Sequence, residues 1–124
     1  MKSSILPCLC VSAVLTLVAV SCGKKPADAT QALQQSFQAA EPEVRQAIEA
    51  VNVHLQAREY TAAARALAPV VSQQRLTDPE RQAVGVALQQ LNQAIAADRS
   101  LDTKEMYELR AKMFYAVHHG GSRF

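Results

Sequence analysis

Two stretches of this chain carry apolar residues at a spacing that only an α-helix turns into a continuous stripe. Val44, Ile48, Val51 and Leu55 stand at i, i+4, i+7 and i+11, and Val84, Leu88, Leu91 and Ile95 repeat that spacing. On a helix of 3.6 residues per turn these positions share one side, whereas a strand would divide them between its two faces. Met106, Leu109, Met113 and Val117 form a third stripe of similar period. Beyond the first twenty residues, β-branched residues occur singly or in pairs and never in a sustained alternating run. Trp is absent and Gly occurs four times, too few aromatics and turn glycines for an all-β sandwich or barrel. With 124 residues there is room for one small core. The expected fold is all-α, either a short helical-hairpin array or a small antiparallel helix bundle.

Local signals set the helix ends. Asp28 or Thr30 can cap a first helix running to about Ala40, with Leu33, Phe37 and Ala40 on one face. Glu41-Pro42 interrupts it, because proline disfavours helical dihedrals in the residue before it and suits the first position of the next helix. The second helix is predicted from Pro42 to about Arg58, with Glu41 marking either a turn or a kink in one long helix. A turn at Glu59-Tyr60-Thr61 leads into a third helix, about Thr61 to Gln74, with Ala64, Leu67 and Val71 inward and a kink at Pro69. Thr77-Asp78-Pro79-Glu80 supplies a cap, a first-turn proline and a glutamate three residues after Thr77. It opens a fourth helix to about Ala97. Asp102-Thr103-Lys104-Glu105 reads as a second capping box, and Gly120-Gly121 ends the fifth helix. The helical domain spans residues 30–119, with a tail at 120–124.

Residues 1–21 read as an export leader. Met1 and Lys2 give a positive start, and Ile5 to Val20 is apolar apart from Pro7, Cys8, Cys10, Ser12 and Thr16. As a helix that stretch would measure roughly 24 Å at about 1.5 Å per residue, short for a hydrocarbon core of about 30 Å. Ala19, Val20 and Ser21 provide a small-residue cleavage site. Ala19-Val20-Ser21-Cys22 resembles the lipobox of bacterial lipoproteins, with Ala19 where Leu is usual. The resemblance implies that Cys22 becomes the new N terminus and is acylated, anchoring the chain to the lipid bilayer. The alternatives are ordinary export with cleavage at the same place, leaving a free thiol at Cys22, and an uncleaved anchor. Cys8 and Cys10 leave with the leader, so no disulfide can form within the mature chain, and acylation removes its one thiol. Residues 22–29 are then the acylated cysteine and a flexible, solvated polar tether, in which Lys24 and Lys25 stand where anionic lipid headgroups would be. Gly23 stands where Asp causes inner-membrane retention in lipoproteins of enteric bacteria. The resemblance thus implies a cell-envelope protein held at the outer membrane, its helical domain outside the cytoplasm.

A weak internal repeat is visible. Arg45-Gln46-Ala47-Ile48 recurs as Arg81-Gln82-Ala83-Val84, 36 residues later. The segment from Leu55 to Val71 resembles a tetratricopeptide repeat, whose period is about 34. Ala57 stands at the usual glycine, Tyr60 at the turn tyrosine, Ala63 at the small packing position, and Leu67 with Val70 on the second helix. The second unit has Ala96 in place of the tyrosine and a longer loop, Asp98–Asp102, so the resemblance covers about one and a half units. It implies a tetratricopeptide-like array of helical hairpins.

No constellation of catalytic residues emerges. The formal charge of +2 gives no nucleic-acid-binding excess. His54 falls beside the apolar stripe and reads as structural. His118 and His119 suit the negative end of the fifth helix, and adjacent helical residues diverge by about 100°, a poor chelate. The Met106, Met113 and His118 set reads as core packing and not as a haem site. His-Glu-x-x-His, paired cysteines, phosphate-binding glycine loops and nucleophile elbows are all absent. Neither metal, cofactor nor catalytic residue is expected.

The C-terminal helix draws more interest. Four of the six aromatics are Tyr60, Tyr107, Phe114 and Tyr115. Phe114 and Tyr115 diverge by about 100° and cannot both join the core stripe, so at least one aromatic should stay exposed near Arg110. Aromatics with Arg are enriched at binding hot spots. Tyr107, Arg110, Phe114 and Tyr115 are therefore the candidate partner contact of a non-catalytic, protein-binding or scaffolding lipoprotein. A purely structural envelope lipoprotein and a small-ligand carrier are the alternatives.

Overall fold

A computed structural model describes residues 27–73 and 75–120. The leader, the cleavage site at Ala19, Val20 and Ser21, Cys22 and tail residues 121–124 lie outside that range. Five α-helices follow one another: α1 (Thr30–Ser36), α2 (Pro42–Gln56), α3 (Tyr60–Gln73), α4 (Asp78–Ala97) and α5 (Lys104–His119). A 3-10 turn, Arg99–Leu101, precedes α5, and no strand occurs among the described residues. The protein is all-α.

The helices pack as a ring. α2 lies on α3, α3 on α5, α5 on α4, α4 on α1 and α1 on α2, while the consecutive helices α3 and α4 barely meet. α1 bridges the α2–α3 hairpin to the α4–α5 hairpin, so both hairpins share one core. Leu33, Phe37, Val51, Leu67, Val71, Val84, Leu91, Met106 and Met113 are almost wholly enclosed by the ring. Buried Ala63, Ala64, Ala83, Ala87 and Ala116 add little volume, so neighbouring helices can approach closely.

Several helix ends differ from expectation. α1 stops at Ser36, short of Ala40, because Phe37 turns into the core and is 1% exposed. The chain then reverses, with Ala40 N–H bonded to the Phe37 carbonyl. The break before Pro42 is thus a turn between two packed helices and not a kink. Neither Asp28 nor Thr30 caps α1. Its N-cap is Ala29, and Asp28 Oδ1 instead accepts from the Thr30 amide (3.0 Å) and hydroxyl (2.7 Å). Two glutamines of α4 secure this entry. Ala27 N–H donates to Gln93 Oε1 (2.8 Å) and Ala29 N–H to Gln90 Oε1 (2.9 Å). Asn52 Nδ2 of α2 donates to the Thr30 carbonyl from the other side (3.1 Å).

α2 ends at Gln56 in a Schellman motif. Glu59 N–H bonds the His54 carbonyl (2.8 Å) and Arg58 N–H the Leu55 carbonyl (3.1 Å). The left-handed position is Arg58, φ 59°, where glycine is usual. α3 continues through Pro69 to Gln73, and Ser72 Oγ donates to the Ala68 carbonyl (2.8 Å). α4 opens on a full capping box: Thr77 Oγ1 accepts from Glu80 N–H (3.3 Å), and Glu80 Oε1 accepts from Thr77 N–H (2.9 Å). The second expected box is incomplete. Thr103 Oγ1 accepts from Met106 N–H (3.1 Å), but the residue at that third position is Met106. Glu105 is left to reach α3, and α5 ends on left-handed Gly120, φ 76°.

Candidate functional site

α5 presents opposite faces to core and solvent. Met106, Met113 and Ala116 are buried, with Leu109 and Val117 packed against the core. Ala111 centres the outer face. Tyr107, Ala111 and Phe114 follow i, i+4, i+7, one exposed ridge. Tyr107 is 66% and Phe114 54% exposed, so these aromatics do not fold onto α4. Between them, Ala111 leaves a dip that opens into a groove of about 690 Å³ against α4, lined by Leu88, Asn92, Tyr107, Ala111, Phe114 and Tyr115 among others. The charged groups Glu108, Arg110 and Lys112 border it.

The four sequence-derived candidates thus line one groove but stand differently in it. Arg110 is a strut. Its Nη1 donates to Asn92 Oδ1 of α4 (2.7 Å), and its Nη2 lies 3.6 Å from Asp102 Oδ1. The side chain is mostly buried by this work and reaches the groove only at its wall. Tyr115 is half-buried. His118 backs Phe114 (ring centroids 4.2 Å apart) and His119 backs Tyr115 (4.6 Å). The two histidines consequently diverge, each supporting an aromatic one turn earlier.

Around this face the electrostatics are local. Glu105 at the start of α5 takes a two-pronged hydrogen bond from Arg65 of α3, Nε to Oε1 (2.7 Å) and Nη2 to Oε2 (3.0 Å). Those bonds hold the Glu105 carboxyl below its ordinary range and raise the guanidinium of Arg65. Asp98, at the α4–α5 connection, is likewise lowered by hydrogen bonds from the Ser100 hydroxyl and amide. Lys104 and Glu108 sit one turn apart, 3.9 Å between charged atoms. His54 closes over the α2–α3 turn, with Nδ1 3.7 Å from Glu59 Oε2.

No family model, curated protein or solved structure matches this chain. Other depressions lie among the described residues. One lies between α1 and α2, about 560 Å³, bordered by Gln31, Gln34, Gln38 and Gln56 with the exposed Val53. Another is a polar hollow at the far end of α5, where Arg81 is ion-paired to Asp78 beside His118 and His119. Among the described residues, no three His, Cys, Asp or Glu side chains converge as metal ligands, and no helix is long and apolar enough to cross a membrane.

Sequence reasoning missed Leu88, Asn92 and Ala111. Leu88 counted as core because it completes a stripe, yet it is only partly buried and helps form the groove floor. The spacing of Tyr107, Ala111 and Phe114 was the available signal for the ridge.

Proposed function

We propose that this protein is a membrane-anchored bacterial envelope lipoprotein whose helical domain is a non-catalytic protein-binding module. The observation that carries the binding role is the exposed pair Tyr107 and Phe114 astride Ala111, opening onto an apolar groove. Large exposed aromatics beside a concave apolar surface cost solvation unless a partner covers them. The anchor rests on Ala19-Val20-Ser21-Cys22 after a short apolar leader, and Gly23 favours the outer membrane over the inner. More than one acyl chain at Cys22 gives lasting attachment, since each buried CH₂ contributes about 0.8 kcal/mol. The tetratricopeptide-like character of the α2–α3 hairpin is part of the same proposal. It is supported by Tyr60 at the start of α3 and by buried Ala63, Leu67 and Val70.

Affinity capture from native membranes tests both halves, with intact-mass measurement of the recovered chain. The expected result is a lipid-modified Cys22 and a captured protein that is lost at least fivefold with Tyr107→Ala and Phe114→Ala. An unmodified thiol, or residues 1–21 still attached, rejects the anchor. Capture left unchanged by Tyr107→Ala and Phe114→Ala rejects the binding module.

A further inference from the structure

We infer that the helical domain is held with one end toward the lipid bilayer, the end built from the α2–α3 turn and the α4–α5 connection. The inference rests on the acylated Cys22 of the proposed function and adds which surface the lipid meets.

Hydrogen bonds between elements sort the fold into two ends. Asn52, near the end of α2, bonds Thr30 at the start of α1. Gln93, near the end of α4, bonds Ala27. Arg65 and Glu105 join the beginnings of α3 and α5. The chain entry at Ala27, the α2–α3 turn and the α4–α5 connection therefore share the near end. The far end carries the α1–α2 turn, the α3–α4 connection and Gly120, and Thr77 and Gly120 border one hollow there.

Chain length then decides the orientation. Cys22 and Ala27 are five residues apart, a reach of about 17 Å at about 3.5 Å per residue. Gln93, which holds Ala27, lies fifteen residues after Asp78 and four before Ala97, the two ends of α4. At about 1.5 Å per residue that is roughly 22 Å from the far end and 6 Å from the near one. To set the far end on the headgroups, Ala27 would have to rise about 22 Å above them, more than the chain allows. The bonds at Ala27 and Ala29 make the difference. Were the chain free as far as Thr30, eight residues from Cys22, the reach would be about 28 Å and the domain could turn over.

Charge does not set this orientation. At the near end Arg58, Arg99 and Lys104 stand against Asp28, Glu59, Asp98 and Asp102, all exposed. With Lys24 and Lys25 the balance is close to neutral, so anionic headgroups neither repel this end nor grip it strongly. α5 begins at the near end, and Phe114, ten residues after Lys104, stands about 15 Å above it. The groove between α4 and α5 thus opens within roughly 30 Å of the headgroups, and its partner is one that presents a segment at that height.

Depth-dependent quenching tests the orientation. The processed, acylated protein is placed on vesicles of phosphatidylethanolamine and phosphatidylglycerol, some of the lipids bearing a nitroxide on the headgroup. With Cys22 acylated, an added cysteine is the one free thiol of the mature chain. Ser100→Cys marks the near end and Ala39→Cys the far end, both at exposed positions, and each carries a fluorophore. Quenching at position 100 should be at least threefold that at position 39. Six Gly-Ser residues inserted between Lys25 and Pro26 extend the reach by about 21 Å and should bring the two positions within about 1.5-fold of each other. Equal quenching without the insertion, or a ratio that the insertion leaves unchanged, overturns the orientation set by the tether. Vesicle flotation and intact mass separate this from the anchor itself. A chain that floats with an acylated Cys22 yet is quenched equally at both positions loses the orientation alone. A chain with a free Cys22 thiol that fails to float overturns the anchor, and the orientation with it.

Discussion

Replacing Phe37 with alanine should cost this protein a large part of its stability and should act first on α1. Phe37 is 1% exposed and is among the largest fully buried side chains. Transfer of such a side chain out of water contributes about 1.5–3 kcal/mol, and truncation adds the cavity left behind, for a total of about 3–5 kcal/mol. Domains of this size are stable by roughly 0.05–0.15 kcal/mol per residue, so the loss is about a fifth of the whole at the least. The effect should also be local. α1 has seven residues, fewer than the roughly 12–15 an isolated helix needs even to be marginal, so it exists because Leu33 and Phe37 are buried. Urea unfolding followed by circular dichroism gives the global term. Amide exchange gives the local one, with α1 amides expected to lose protection while those of α3 keep most of theirs. Val53→Ala on α2, 62% exposed, is the control and should stay within about 0.5 kcal/mol. A Phe37→Ala loss below 1 kcal/mol, or undiminished protection in α1, would refute the dependence of α1 on this contact.

Two further outcomes follow from the helix ends and the α3–α5 link. Thr77→Ala removes one arm of the capping box and should lower stability by about 1 kcal/mol, within the usual 0.5–2 kcal/mol for a lost cap, as read by chemical denaturation. Glu105 is lowered by its hydrogen bonds from Arg65, so its contribution is present above the unfolded carboxylate pKa and is lost as pH falls through the lower folded value. Nuclear magnetic resonance titration should show the Glu105 carboxyl returning toward its ordinary range in Arg65→Gln, and an unchanged midpoint would contradict the link.

What the sequence made legible was local periodicity and local punctuation. Val44, Ile48, Val51 and Leu55 are all buried, as their spacing requires, and Thr77 with Glu80 forms the capping box written in those residues. What it hid was long-range. Nothing near Gln90 or Gln93 marks them as holding the entry to α1; glutamines on a helix read as solvent-facing. Glu105 stands three residues after Asp102, the place of a capping glutamate, but the cap begins one residue later at Thr103 and the Glu105 carboxylate accepts from Arg65, forty positions away. The Schellman turn at Arg58 lacked its glycine. Leu88 shows the limit of a stripe: period assigns a side of the helix, while the neighbour that approaches that side decides how deep it lies. For the candidate site, the residue types were visible in α5. Their division into an exposed ridge and a buried strut depended on Asn92 and Asp102 claiming Arg110.

The latching of Ala27 and Ala29 to α4 also sets a load path. Any pull exerted through the residues before Ala27 enters the fold at its shortest helix, loading first the bond to Gln93 and then the bond to Gln90. Behind them stand the bond from Asn52 to the Thr30 carbonyl and the buried side chains of Ala29, Leu33 and Phe37. α1 is therefore the element such a pull should release first. When it yields, residues 27–41 can extend to a length of roughly 50 Å at about 3.5 Å per residue, without requiring the α2–α3 or α4–α5 hairpin to open.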